Sequence, residues 1–414
     1  MARRRWGRLA VVVAAVLAGA LMAAMALTLA AAGASEGAIG PAGPARPAGD
    51  TVPGALNAVS CTGPASCMAA GSYVSSGATV TLAESWNGTR WTVRPTPDPA
   101  GGGVPAVYGL GCGAAGACLA TGSYYLGSNV TPLAEWWDGT QWAIESVPLP
   151  AGAVGGALDA ASCSSATACE AVGTYTTSGD QSMALAESWD GSTFTIMPVP
   201  VPANATTSTL TAVSCASAAV GCEAVGWVEM PSAAGARALT EGWNGIAWSV
   251  QATPRARGAS QSTFPGGVSC ASGGACTSAG LGVTDAGDDR GWAQAWNGTS
   301  WANQTVPQPP GAPDSILSGV SCTLAGSACA AVGYSSADGS VFTNYAEGWN
   351  GVRWTVQRLP APAGTQTGDM TGVSCSSADA CTGVGEVTNG SGVVVTLAER
   401  WDGRNWSVQR TPAP

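Results

Sequence analysis

"LAESWNGTRWTV", residues 82–93, returns six more times in altered spelling: LAEWWDGTQWAI (133–144), LAESWDGSTFTI (185–196), LTEGWNGIAWSV (239–250), AQAWNGTSWANQ (293–304), AEGWNGVRWTVQ (346–357) and LAERWDGRNWSV (397–408). Apolar and polar residues alternate on both sides of an Asn-Gly or Asp-Gly pair. That is the signature of two strands joined by a tight hairpin, the turn dipeptide supplying positive-φ residues. In such a hairpin Glu84, Trp86, Trp91 and Val93 share one face. The two indoles then pack cross-strand, adding about 0.5–1.5 kcal/mol beyond simple area burial. The equivalent pairs are Trp137/Trp142, Trp189/Phe194, Trp243/Trp248, Trp296/Trp301, Trp349/Trp354 and Trp401/Trp406. Each hairpin carries an apolar plate that has to be covered by a neighbour.

Working outward, each copy lies in a longer unit: a strand ending in Ser-Cys, a second Cys, a strand through Ala-Val-Gly, a variable stretch, the Trp hairpin and a Pro-rich exit. The first cysteines, Cys61, Cys112, Cys163, Cys215, Cys270, Cys322 and Cys375, recur at intervals of 51, 51, 52, 55, 52 and 53 residues. Four short strands per unit of about 50 residues point to a propeller, because one such sheet cannot bury both faces alone. The expected fold is all-β: a seven-bladed β-propeller of four-stranded antiparallel blades. The blades fall at about 54–100, 101–150, 151–200, 201–254, 255–310, 311–362 and 363–414. Ring closure follows two possible schemes, and a chain that begins at a first strand and ends after a fourth favours packing of blade seven on blade one over a shared blade.

The fourteen cysteines fall two per unit: Cys61/Cys67, Cys112/Cys118, Cys163/Cys169, Cys215/Cys222, Cys270/Cys276, Cys322/Cys329 and Cys375/Cys381. In an exported chain they are expected as one disulfide per blade, each closing the turn between the first and second strands. Zinc would need pairs from different blades to converge, and seven pairs do not group into fours.

Composition removes much chemistry. All 16 basic side chains are Arg, and there is no His. No Ser–His–Asp or Cys–His nucleophile, Schiff-base lysine, P-loop lysine or histidine metal ligand can therefore be built. No cofactor or metal site is expected. Arg3, Arg4, Arg5 and Arg8 precede an apolar run from Leu9 to Ala32, with small residues at Ala32-Gly33-Ala34. Residues 1–34 read as a signal peptide, or as an uncleaved anchor since the run is long enough to span a bilayer. Residues 35–53 form an Ala/Gly/Pro-rich linker. Loss of 1–34 removes four arginines and no acid, so the net charge of −10 becomes more negative by four. Such a surface disfavours nucleic acid and anionic membranes.

Taken together, the units resemble the kelch repeat of galactose-oxidase-like propellers over residues 54–414. The resemblance rests on a glycine closing the second strand (Gly71, Gly122, Gly173, Gly226, Gly333, Gly385), an aromatic ending the third, and the second Trp about five residues on. The kelch double glycine is single here, Trp replaces the usual Tyr, and the Cys pair is additional. The turn also looks like part of the Asp-box of sialidase-like propellers without its leading Ser-x-Asp, and the whole unit looks like repeats of secreted bacterial propellers of unassigned activity. The resemblance implies a fold. A copper site using His does not carry over to a chain without His, and Arg90, Arg353 and Arg404 lie in hairpins rather than in a sialidase-type cluster.

A four-stranded up-and-down blade puts its first–second and third–fourth turns on one face of the disc, and its second–third loops and inter-blade links on the other. Variation concentrates on the second face, where binding on rigid scaffolds is favoured. The outliers there are Tyr124, Tyr125, Trp227, Asp285, Asp288, Asp289, Arg290, Trp292, Tyr334 and Tyr345. Tyr124, Tyr73, Tyr175 and Tyr334 follow the strand glycine and are expected to share one slot with Trp227. Asp285, Asp288 and Asp289 match no standard calcium loop and read as a solvated turn. The recurrent Glu84, Glu135, Glu187, Glu241, Glu347 and Glu399, with Gln294 in the fifth unit, read as half-buried acceptors for an indole or backbone N–H, since Gln can accept but cannot act as a carboxylate acid or base. The expectation is an exported monomer without catalytic residues that binds a protein or carbohydrate partner on the loop-rich face. A secreted glycan-acting enzyme using the aspartates near 285–289 is the alternative.

Overall fold

The computed structural model describes residues 52–217, 221–231 and 235–412. The leader at 1–34 and nearly all of the linker lie outside the described residues. Twenty-eight strands form seven four-stranded antiparallel sheets, and in each sheet the strands pair in sequence order. Blade one consists of Gly54–Gly63, Ser66–Ser75, Ala78–Trp86 and Trp91–Arg94. Among the described residues no blade borrows a strand from another, so the ring closes by contacts between blades seven and one rather than by a shared sheet.

The first strand of each blade lies innermost, against the first strands of both neighbours, and Gly54–Gly63 meets Thr367–Ser377 of blade seven. These strands approach closely because each carries Ala or Gly at one register position: Ala58, Gly109, Ala160, Ala212, Gly267, Gly319 and Gly372. A Cβ on Gly372 would lie 3.0 Å from the Asn57 carbonyl oxygen and 3.2 Å from Ala58 Cα. One residue earlier, every first strand bulges, at Asn57, Tyr108, Asp159, Thr211, Gly266, Ser318 and Thr371. The bulge explains the glycine of the second strand. A Cβ on Gly71 would sit 2.0 Å from the Ala55 carbonyl oxygen, and one on Gly280, its counterpart in blade five, 2.2 Å from that of Phe264. Nothing larger than hydrogen fits there.

The Ser before the first Cys has an equally definite task. Its hydroxyl accepts the backbone N–H of the next blade's Cys, as in Cys112 N to Ser60 Oγ (3.0 Å), Cys215 N to Ser162 Oγ (3.0 Å) and Cys375 N to Ser321 Oγ (2.9 Å). The same bond runs from Cys61 N to Ser374 Oγ at 2.9 Å, joining the last blade to the first. Gly111 stands in the serine position of blade two.

All seven disulfides form within their blades: Cys61–Cys67, Cys112–Cys118, Cys163–Cys169, Cys215–Cys222, Cys270–Cys276, Cys322–Cys329 and Cys375–Cys381. Each joins directly opposed residues of the first and second strands, with Cα–Cα separations of 3.9–4.0 Å. The sequence places these cysteines only at a turn, whereas the second of each pair is a core residue. Cys67, Cys118, Cys169, Cys222, Cys276, Cys329 and Cys381 are all buried, each in the apolar cluster between its own blade and the preceding one. The second strand explains this. Each of these cysteines lies directly opposite the first Trp of its hairpin, as Cys169 does Trp189 and Cys381 does Trp401, so the sulfur packs under the indole plate. There are no free cysteines among the described residues. Seven bridges belong in an oxidising environment.

The Trp plates fill the gaps between blades. Trp86 and Trp91 are directly opposed and their rings lie 5.7 Å apart; the other indole pairs fall at 5.6–5.8 Å and Trp189/Phe194 at 4.8 Å. Across the closure, Leu56, Leu82, Trp86 and Trp91 pack with Val384 and Ala398 of blade seven. Arg400 adds a guanidinium over Trp86 at 5.6 Å and a hydrogen bond to the Pro64 carbonyl at 2.5 Å. The turn differs from the sequence expectation in one respect. Its four residues fit the expected hairpin, but only its glycine has positive φ, as at Gly88 (94°). Asn87 instead accepts from the N–H groups of Thr89 and Arg90, both at 3.0 Å, an Asx turn that fastens the loop.

Candidate functional site: an acidic mouth on blades five to seven

The repeated glutamates are not surface groups. Glu84, Glu187, Glu241, Glu347 and Glu399 are completely buried, as is Gln294, and Glu135 nearly so. Nor do they serve as acceptors for the indoles. Trp301, Trp354 and Trp406 donate to Gln251, Gln304 and Gln357 of the preceding blade at 2.6–2.8 Å. The half-buried acceptor expected from sequence is thus a fully buried group of the blade interface, sealed off from substrate.

The outliers divide by burial. Trp227 packs edge-on to Phe264, Trp292 donates from its indole to the Leu281 carbonyl at 2.8 Å, and Tyr345 bonds Pro307 O and Glu347; all three are core residues. The buried sulfurs of Cys169, Cys222, Cys276, Cys329 and Cys381 likewise face blade interfaces and line neither of the crevices described below, so these disulfides hold the scaffold and form no part of the site. Tyr124 is half-buried against the blade-two cluster, whereas Tyr125 is exposed. Asp285 and Arg290 are exposed, and Arg290 pairs with Asp288 at 3.7 Å. The expected common slot also splits. Tyr73 lies opposite Gly54, two residues past the strand glycine, while Tyr334 lies opposite Ile316 and Trp227 opposite Thr209, one residue past it. A one-residue offset puts them on opposite faces of the sheet.

Tyr334 therefore stands elsewhere, among carboxylates. Its phenol stacks edge-on with Phe342 at 5.1 Å, and burial, helped by the charges of Asp369, Asp289 and Asp314, pushes its pKa up. The backbone N–H of Asp289 donates to Asp314 Oδ1 at 3.0 Å, tying the third strand of blade five to the first of blade six. Burial, helped by Asp314 and Asp288, raises the Asp289 carboxyl to about 6. Asp369 and Glu386, paired across the first two strands of blade seven, are each pushed up to about 7, chiefly by burial. Buried oxygens of Asp289, Asn344 and Asp369 (Oδ1 in each) have no donor. This acidic mouth thus holds at least three unpartnered acceptors.

Sequence reasoning found Asp285, Asp288, Asp289 and Tyr334 but missed Asp314, Asn344, Asp369 and Glu386. A signal existed. The slot of Asp369 is Ala55, Ala106, Ala157, Thr209, Phe264 and Ile316 in the other blades, and that of Glu386 is Ser72, Ser123, Thr174, Trp227, Leu281 and Tyr334, so each acid is the charged exception.

Among the described residues no three His, Cys, Asp or Glu side chains converge in a metal-holding group. Two crevices of about 260 and 210 Å3 flank Arg94, one between blades one and two on the tight-turn face, the other along blade one. Both fall below the roughly 300 Å3 at which small-molecule sites begin.

No family model matches the chain, and neither does any curated protein. Solved structures do. An ulvan lyase of polysaccharide lyase family PL25, bound to a GlcA–Rha3S ligand, is 11% identical, covers 88% of this chain and 98% of its own, and superposes with a TM-score of 0.53. The propeller domain of a trilobed protease from Pyrococcus furiosus is 7% identical over 86% and 97%, TM-score 0.49. YCF48 bound to a D1 peptide is 11% identical over 76% and 87%, TM-score 0.41. At such identities the likeness is one of fold.

Proposed function

We propose that this chain is an exported, kelch-like recognition propeller that binds a protein or carbohydrate partner through its loop-rich face. The contact surface would centre on Asp289, Asp314, Tyr334 and Asp369 and extend over Asp285, Asp288, Arg290 and, on blade two, Tyr124 and Tyr125. The observation that carries this reading is that buried oxygens of Asp289, Asn344 and Asp369, gathered on the loop-rich side of blades five to seven, have no hydrogen-bond partner. A ligand bearing hydroxyl, amine or guanidinium groups supplies what they lack. The seven disulfides support export, and the absence of Lys and His supports binding rather than nucleophilic chemistry. The test is a glycan array and a pull-down with the purified propeller. Capture by the parent chain and its loss in an Asp289→Asn/Asp369→Asn variant are expected; blank results in both at high micromolar concentration overturn the proposal.

One observation favours a second reading. Asp369 and Glu386, both near neutrality, have the protonation poise of an acid–base pair, and a polysaccharide lyase shares the fold. Glycan turnover lost on Glu386→Gln while binding persists would decide for it.

A further inference from the structure

The buried glutamates raise a question that ligand binding does not answer: what occupies their oxygens. Both carboxyl oxygens of Glu84, Glu187, Glu241 and Glu399 lack any donor. Blade five answers by substitution. There Gln294 donates from Nε2 to the carbonyl of Pro254 at 2.7 Å, in the link leading out of blade four. A proline stands six residues after the second hairpin aromatic in every unit: Pro97, Pro148, Pro200, Pro254, Pro307, Pro360 and Pro412. In blade six the Tyr345 hydroxyl touches both Pro307 O (3.2 Å) and Glu347 Oε1 (2.5 Å), so that it bridges the carboxyl to the equivalent carbonyl. A carbonyl oxygen can only accept. A carboxylate beside it is repelled, whereas a carboxylic acid is isosteric with the Gln294 amide and can donate.

We propose that Glu84, Glu135, Glu187, Glu241 and Glu399 are neutral carboxylic acids at neutral pH, each donating its O–H to the carbonyl of the proline ahead of it, with Glu84 to Pro412 completing the circle, and that in blade six the Tyr345 hydroxyl takes this place between Glu347 and Pro307. The girdle makes the closed ring a structure that weakens in alkali. Burial is the main cause that favours the protonated form, with Glu84, Glu135, Glu187, Glu241 and Glu399 raised to about 8 and Glu347 to about 7. Asp98 at Glu135 and Glu223 at Glu241 push the same way, the Thr81 hydroxyl at Glu135 and Tyr345 at Glu347 oppose burial only in part, and no arginine among the described residues acts on any of the six. A folded value above the unfolded one means stability fully present below about pH 4.5 and lost progressively as pH rises toward about 8. Asp159, Asp369 and Glu386 slope the same way, so the girdle has to be read from differences between variants.

Thermal unfolding from about pH 5 to about pH 9 of the full chain, Glu399→Gln and Gln294→Glu is the experiment. Glu399→Gln should match the parent at the acid end and melt higher at the alkaline end, since it keeps the donor and removes the titration. Gln294→Glu should match the parent in acid and melt lower in alkali. Infrared absorption of the protonated carboxyl at pH 7 should be present in the parent and diminished in Glu399→Gln, a readout that needs no stability difference. Melting profiles of both variants parallel to the parent, or an infrared band unchanged by the substitution, overturn the proposal.

Discussion

Replacing Trp354 by Phe isolates a single inter-blade hydrogen bond. Trp354 is 3% exposed, its ring lies 5.6 Å from Trp349, and its indole N–H donates to Gln304 of the preceding blade at 2.8 Å. Blade three already carries Phe194 in this slot, so the smaller ring is compatible with the fold. The substitution leaves Gln304 Oε1 without its donor, a cost of about 1–3 kcal/mol, besides the loss of ring volume. Trp91 is the control: equally buried, paired with Trp86 at 5.7 Å, but with no acceptor for its N–H. Trp91→Phe loses the same volume and no bond. For about 360 residues at about 2.1 cal/mol/K each, unfolding carries about 0.75 kcal/mol/K, so the bond corresponds to roughly 1–4 °C in Tm. Calorimetry of both variants should show Trp354→Phe melting lower than Trp91→Phe by that margin. Equal losses would mean that the Gln304 contact contributes nothing and that indole packing alone holds the blades.

Two further outcomes follow from the inner strands. Gly280→Ala, whose Cβ would meet the Phe264 carbonyl oxygen at 2.2 Å, should destabilise by several kcal/mol or block folding, while Gly273→Ala, with nothing within 4 Å, should stay within about 0.5 kcal/mol on denaturant titration. Ser162→Ala removes the acceptor for Cys215 N–H (3.0 Å) and should cost about 1 kcal/mol, measured by the same titration, with no change in the disulfide map.

The fold was legible because its determinants are local and repeated. Strand alternation, the Asn/Asp-Gly turn and the Cys spacing are each short-range patterns that recur within one unit, so one unit already specifies a blade and seven copies specify the ring. The pairing of Cys169 with Cys163 could be read from spacing, but the burial of Cys169 beneath Trp189 could not, because it depends on the cross-strand register of the second and third strands. The hydroxyl of Ser162 was not legible, because its partner Cys215 lies 53 residues on in another blade. The surroundings of Glu84 were hidden similarly: expecting an indole or backbone N–H for it assumed that groups on one hairpin satisfy each other, whereas neither of its oxygens has a donor. The acidic mouth is assembled from Asp289, Asp314, Tyr334 and Asp369 on three blades, and no stretch of chain contains it. What the chain does show is the departure of Asp369 and Glu386 from apolar or neutral slots, visible once the blades are aligned strand by strand.

Closure of the ring is tested most directly by paired spin labels at Pro64 and Arg400, on blades one and seven, compared with a pair at Ser85 and Ala115, the equivalent positions on the adjoining blades one and two that line a common crevice. A closed ring predicts the same short, single separation for both pairs. A separation at 64/400 far longer than at 85/115 would describe an open array of blades, and the account of the axis, the girdle and the mouth would go with it.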